Sequence, residues 1–396
     1  MSDNTQKEDR IRQIPPSAWG LVVEQAQRHY VMPLLYWQLK ALPLEQGISD
    51  ELWQKLHTSY KDNARHNLLR YAELERMLNA LQEAGIRTIV LKGAHLAELI
   101  YKNIALRGMT DIDLLVDKRN LEKASQILTN TGYQTEREYR LQEELANDKI
   151  HHLPLFRKEN RVAVEIHWAL IPPKTCIQVD HIPLWDRALP TSIADAQALV
   201  LSAEDLVLHL CVHLCQHRFS LGLRHLFDIA QTLSFYENEL DWEILCRRAG
   251  QWRAHKCVYI ILHLAKGLLN APIPNSVMEQ LQPADFSPNI EERARERVLH
   301  TTSTNLGVAE LWRPEPLSIR LKRFTRRIFV PSKNLAYQYG LERGSKRVYF
   351  YYFVRLKDLF QQYGQQLWCQ LRGEPTTATL VQQENLLDEW WKDSEN

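Results

Sequence analysis

The sequence has few of the features that mark special classes of protein. Its 396 residues contain only 14 glycines and 17 prolines, too few for a collagenous or linker-rich chain. Six cysteines, at 176, 211, 215, 246, 257 and 369, form no CxxC pair, and a chain this long needs no disulfide framework. No uncharged apolar run approaches the ~18–20 residues of a membrane span. The first ten residues are polar, without the apolar stretch of a signal peptide. These absences predict a cytoplasmic, reduced protein. Charge of either sign is missing as a signal too, because 49 basic residues stand against 48 acidic ones and net charge points to no partner. What remains is 45% hydrophobic and 24% charged, a globular composition able to bury a sizeable core.

The apolar spacing changes along the chain. Up to residue 85 it is helical, with Ser49 placed to cap a long helix over 51–84 and Gly85 to end it. Ile86–Leu91 and Ile112–Val116 predict short buried strands, with helices over Ala94–Tyr101 and Arg119–Thr129. His152–Phe156 and Val162–Trp168 predict a hairpin turning at Glu159-Asn160. This order implies an α+β fold, a mixed sheet with helices on one side. After Pro172-Pro173, Pro183 and Pro190 the spacing is helical again, and Ser202-Ala-Glu-Asp205 is a capping box. The expected parts are an N-terminal helical region (1–85), an α/β core (86–190), a helical domain packed on it (191–295) and a basic helical region with an acidic tail (296–396).

Residues 90–116 carry the chemistry. Asp111 and Asp113 flank Ile112 at the mouth of an apolar strand, where i and i+2 face the same way. Two such carboxylates repel unless a cation sits between them, and Mg²⁺ takes one or two carboxylates plus substrate phosphates. Lys92-Gly93 falls where a strand becomes a helix, a place where backbone N–H groups can meet a phosphate. Arg107 could clamp a triphosphate or form a surface salt bridge. Glu165, in Val-Glu-Ile-His, sets a third acid on a strand, and His167 beside it could tune that acid, bind phosphate or sit bonded in the core.

The Leu-Lys-Gly, Leu-Arg-x-Met-x-Asp-Ile-Asp-Leu-Leu-Val and Val-Glu-Ile-His-Trp segments resemble a family of uncharacterised, mostly bacterial nucleotidyltransferases within the DNA polymerase beta-like superfamily. The resemblance covers about residues 85–230, including Leu-Arg-His-Leu-Phe-Asp-Ile-Ala at 223–230. It implies a nucleotidyltransferase-like sheet, Asp111, Asp113 and Glu165 as ligands of Mg²⁺ or Mn²⁺, Gly93 in the phosphate turn, and an NTP substrate. It further implies that a hydroxyl acceptor (small molecule, sugar, peptide, protein or RNA) takes the nucleoside monophosphate and pyrophosphate leaves. Lys92 and Ala94 replace the small or hydroxylated neighbours common around that glycine, so a phosphate contact falls to Lys92 or Arg107. A non-catalytic nucleotide- or RNA-binding module and a scaffold of a biosynthetic complex are the alternatives.

Four weaker patterns remain. His209, His213 and His217 form a helical stripe that could line the active cleft, hold zinc or simply pack. Arg224 and Asp228 are spaced to pair along a helix or to stand behind the site. His151-His152 could face the cleft or end a strand. Residues 311–372 hold 13 Lys/Arg against 3 Asp/Glu, which suits RNA or an anionic membrane surface as well as a solvated helix face.

Overall fold

The computed structural model describes residues 11–42, 47–159 and 162–299, and beyond these only short pieces, chiefly 346–358 and 387–392. The basic cluster at 320–327, apart from Thr325, and Asn160 of the expected Glu159-Asn160 turn lie outside the described residues. Tyr349–Phe353 belongs to a helical piece on which Tyr349, Phe350 and Phe353 are exposed.

Helices α1 (Trp19–Arg28) and α2 (Met32–Lys40) pack on the start of α3 (Asp50–Glu83). Ser49 caps α3 by accepting from the Leu52 amide, and Gly85 ends it at φ +72°, a conformation costly for any side chain. Strand β1 (Thr88–Val90) then leads into a short α4 (Lys92–His95) that widens into a π turn over Leu96–Ile100. Next come β2 (Ile112–Val116), α5 (Leu121–Asn130), the two-residue β3 (Gln134–Thr135), α6 (Leu141–Ala146), β4 (Phe156–Arg157) and β5 (Ala163–His167). After α7 (His181–Arg187) the chain forms β6 (Leu189–Ile193) and β7 (Ala196–Val200). Helices α8 (Ala203–Gln216), α9 (Leu223–Phe235), α10 (Trp242–Gln251), α11 (His255–Leu269), α12 (Asn275–Leu281) and α13 (Pro288–Leu299) complete it.

The fold is α+β, built on a seven-stranded mixed sheet in the order β3-β4-β5-β2-β1-β7-β6. Strand β2 runs antiparallel to β1 and parallel to β5, and β7 runs parallel to β1. Two expectations are corrected. The residues around Pro190 are not an exit into helices but a hairpin that extends the sheet. Proline is tolerated there because β6 is an edge strand, where a missing N–H breaks no ladder. Helices also cover both faces rather than one. Val90, Ile112, Leu114 and Ile166 pack under Leu74, Leu78 and Leu81 of α3 and Leu121 and Leu128 of α5. Ile89, Leu91 and Leu115 point the other way, into a core shared with Leu206, Leu210 and Leu214 of α8. No helix of the described residues is long and apolar enough to cross a membrane.

The alternation within β2 and β5 decides where the polar residues go. With Ile112, Leu114, Val164 and Ile166 on the α3 side, Asp113, Glu165 and His167 must face α8. The α8 face is therefore apolar over most of its area and acidic at one end.

Candidate metal centre and its cleft

Parallel pairing sets Asp113 opposite Glu165 and Leu115 opposite His167. The His167 Nε2 sits 2.9 Å from Asp113 Oδ1 and 3.3 Å from Glu165 Oε2. Lys92 Nζ donates to the same Asp113 Oδ1 at 3.1 Å. Asp113 and His167 are buried, while Glu165 and Lys92 reach partly into solvent. Among the described residues, Asp113, Glu165 and His167 are the one group of three such side chains whose ligand atoms all lie within 4.8 Å of one another.

Ionisation follows the contacts. Burial opposes a charge on Asp113, but Lys92 and the His167 hydrogen bond outweigh it and hold the carboxyl well below its usual range. Glu165 is lowered in the same way, against burial, by its bond to His167. Burial works against a protonated His167 too, yet the two carboxylates raise its pKa. Asp111 goes the opposite way, raised by burial and by the negative charge of Asp113.

The expected site residues divide into two sets. Lys92, Asp113 and Glu165 come together, and His167 touches both acids directly instead of standing behind them. Asp111 is outside that trio, at the strand mouth, where it accepts from Thr110 Oγ1 at 2.8 Å. Arg107 is not a surface residue. It is buried, and its Nε and Nη2 bind the Asp228 carboxylate at 3.0–3.3 Å, while Tyr101 donates to Asp228 Oδ1 at 3.0 Å. This takes Asp228 away from Arg224, so the i,i+4 pair expected on α9 does not form; Arg224 Nη1 donates to the Gly108 carbonyl instead.

Gly93 has a structural reason of its own. A Cβ there would come within 2.6 Å of Arg107 Nη1 and 2.8 Å of Met109 Cγ, so a larger residue would push the Arg107 and Met109 side chains out of place. The left-handed backbone of this turn lies one residue earlier, at Lys92 with φ +41°, an unfavourable place for a long side chain.

Sequence reasoning missed the side chains that hold the loop before Asp111. On α3, Asn63 donates to Ala105 O at 2.6 Å, buried Asn67 to Ile104 O and Arg107 O at 2.5 and 2.8 Å, and Arg70 to Thr110 O at 3.4 Å. The available signal was polar residues recurring every three or four positions within the apolar stripe of a helix. The histidine stripe faces the site: burial, then the charge of Lys92, lowers His209 to about 3. His213 lies within ring contact of His217 and His225, at 4.6 and 5.8 Å. The stripe forms no three-ligand metal group among the described residues. His151 and His152 each approach the His167 ring to 5.2 Å, and His152 bridges His167 through the backbone.

The donors fit a divalent ion. The imidazole lies 2.9 and 3.3 Å from the two carboxylates, near the ~3 Å between adjacent ligands of an octahedral ion with bonds of about 2.1 Å, and all three ligand atoms lie within 4.8 Å of one another. The set offers more negative charge than Lys92 neutralises. Oxygen donors suit Mg²⁺ and Mn²⁺, and the imidazole tilts the set toward Mn²⁺ or another transition ion.

Compared with known proteins, residues 15–270 match the model of a family described as uncharacterised nucleotidyltransferase. No curated protein and no solved structure matches the chain. The matched span takes in α1 to α3 as well as the sheet, wider than the 85–230 of the sequence motifs.

Proposed function

The chain belongs to that family of uncharacterised nucleotidyltransferases, and from this premise we propose that it moves a nucleoside monophosphate from an NTP to a hydroxyl acceptor with help from a divalent ion. The observation that carries the reading is the pairing of Asp113 with Glu165 across parallel strands, with His167 touching both, in a chain of this family. Asp113, Glu165 and His167 would hold the ion, and Asp111 stands close enough to feel the charge of Asp113. A bound ion would neutralise triphosphate charge and lower the pKa of an attacking hydroxyl.

The protein's own groups supply the rest. Lys92, on the kinked turn, keeps Asp113 ionised and brings a cation to where phosphate oxygens would lie. Glu165 has an oxygen that can accept the acceptor's proton as the hydroxyl oxygen bonds to the α-phosphorus. The bond from that phosphorus to the bridging oxygen breaks, and pyrophosphate departs with its electrons. Arg107 acts at one remove, fixing the loop under Gly93 by its pair with Asp228. The acid cluster favours this reading over a pure polyanion-binding module, which gains nothing from negative charge at its site.

The test is incubation with each labelled NTP and Mg²⁺ or Mn²⁺, following pyrophosphate release and label transfer. Glu165→Gln keeps one oxygen donor for the ion, so it is expected to weaken metal–nucleotide binding by about tenfold at most and to lose transfer by roughly two to four orders of magnitude. Transfer at the parent rate in this variant would remove Glu165 from the chemistry. A parent protein that binds all four NTPs and transfers none would favour the binding module.

A further inference from the structure

A cleft of about 1410 Å³ runs along α3 toward α9 and ends against Gly108, Met109 and Thr110, immediately before Asp111. Its length follows from α3: Glu51 lines one stretch and His66 another, and fifteen residues of helix span roughly 22 Å. Small-molecule pockets usually hold about 300–1,000 Å³, so there is room for more than a nucleotide.

Arg224 is the unusual group in this cleft. One nitrogen donates to Gly108 O at 3.2 Å, and its guanidinium carbon lies 5.3 Å from the centre of the Tyr30 ring. Its Nε is buried and without a hydrogen-bond partner. The carboxylate spaced to pair with it, Asp228, is committed to Arg107. Burial, and then repulsion from Arg107, lower its pKa to about 10, so it stays charged at neutral pH at some cost. The acids of the cleft, Glu51 and Asp62, form no ion pair with it. Tyr30 holds its place over the guanidinium in a left-handed conformation, φ +58°, with its ring two-thirds exposed. A half-buried cation with a buried unbonded Nε, whose nearby carboxylate is gripped by another arginine, beside a roomy cleft, is what an anion site looks like when its ligand is away.

We propose that this cleft is the acceptor subsite and that Arg224, positioned by Tyr30 and Gly108, binds a phosphate group on the molecule that takes up the nucleotidyl unit. The inference rests on the proposed function for the word acceptor, but the anion site stands on its own geometry. Arg70 lies next to this end of the cleft: one turn beyond His66, it donates to Thr110 O, and its Nε is likewise buried without a partner. An acceptor phosphate near Arg224 would leave its hydroxyl toward Thr110 and Asp111, on the side of the metal trio.

The test is binding of inorganic phosphate to the full chain, followed by ³¹P line broadening, first without metal and then with the metal site saturated by Mg²⁺ and a non-hydrolysable NTP analogue. The parent should bind phosphate in both conditions, and Arg224→Gln should weaken it tenfold or more. Arg224→Lys keeps the charge but loses the fork, and should weaken binding by a few-fold with an unchanged melting temperature, which guards against a folding artefact. Phosphate binding should survive Asp113→Asn whether or not that variant loses metal and nucleotide, so the anion site and the metal-site reading fail separately. Equal phosphate binding by the parent and both Arg224 variants, or none by the parent, would overturn the proposal. Displacement of phosphate by the analogue would overturn the acceptor assignment, because the anion would then be the triphosphate itself.

Discussion

Two buried carboxylates, Asp113 and Asp228, differ in how their charge is met. Asp228 is answered in full: Arg107 grips it with two nitrogens and Tyr101 adds a third donor. Around Asp113 the balance is left open, with Asp111, Asp113 and Glu165 facing Lys92 and a histidine. The closed pair ties the loop before Asp111 to α9, while the open cluster follows directly on the Gly108–Thr110 segment that lines the cleft. Balanced burial marks a joint of the fold, and unbalanced burial marks a place that expects a ligand. On this view Arg224 is the mirror of Asp113, a cation left over because Arg107 took its neighbour.

The comparison breaks first at the open cluster. Asp113→Asn should lower transfer by about three orders of magnitude or more, by removing a metal ligand, while the melting temperature without metal falls only modestly, by the loss of the charge that Lys92 and His167 hold in place. Activity within tenfold of the parent would make Asp113 a structural residue like Asp228. At the closed pair the effects should be reversed. Asp228→Asn strands Arg107 in the interior and should cost about 3–5 kcal/mol in denaturant unfolding. A loss under 1 kcal/mol, with transfer abolished, would move the pair into the active site.

A third carboxylate sharpens the contrast by its pH dependence. Burial opposes ionisation of Glu73, but Lys158 and Tyr133 hold its carboxyl below the ordinary 4.5. A group whose pKa is lowered by folding stabilises above its unfolded pKa, and that stability fades as pH falls through the folded value. Acid unfolding of the parent below about pH 4.5 should therefore flatten in Glu73→Gln; parallel curves would show the contact contributes nothing. The smallest effect belongs to a neutral contact. Ser49→Ala removes the α3 cap and should cost about 1 kcal/mol, checked by urea midpoint, with no change in transfer.

Local signals in the sequence were read well where the physics is local. Ser49 and Gly85 bracket α3 as expected, and the apolar run at Ile112–Val116 forms the strand it predicted. Elements that depend on distant partners were not legible. Strand β6 contains a proline that its position at the sheet edge excuses, and β3 is two residues long. The role of Arg107 depends on Asp228, 121 residues away, and no spacing rule reaches that far. Tertiary choice of partner likewise undid the local Arg224–Asp228 pairing. His167 was visible as a residue near an acid, but its contact with Asp113 required the parallel register of β2 and β5.

The central claim is that the charge left open around Asp113 is a metal site. Calorimetric titration of Mn²⁺ into the nucleotide-free protein tests it most directly, alongside Asp113→Asn and the closed-pair variant Asp228→Asn under conditions where each is folded. The account predicts one class of ion bound by the parent and by Asp228→Asn, lost or weakened at least tenfold in Asp113→Asn, with a melting temperature that rises with Mn²⁺ only where the ion binds. Equal Mn²⁺ binding by the parent and Asp113→Asn would contradict it.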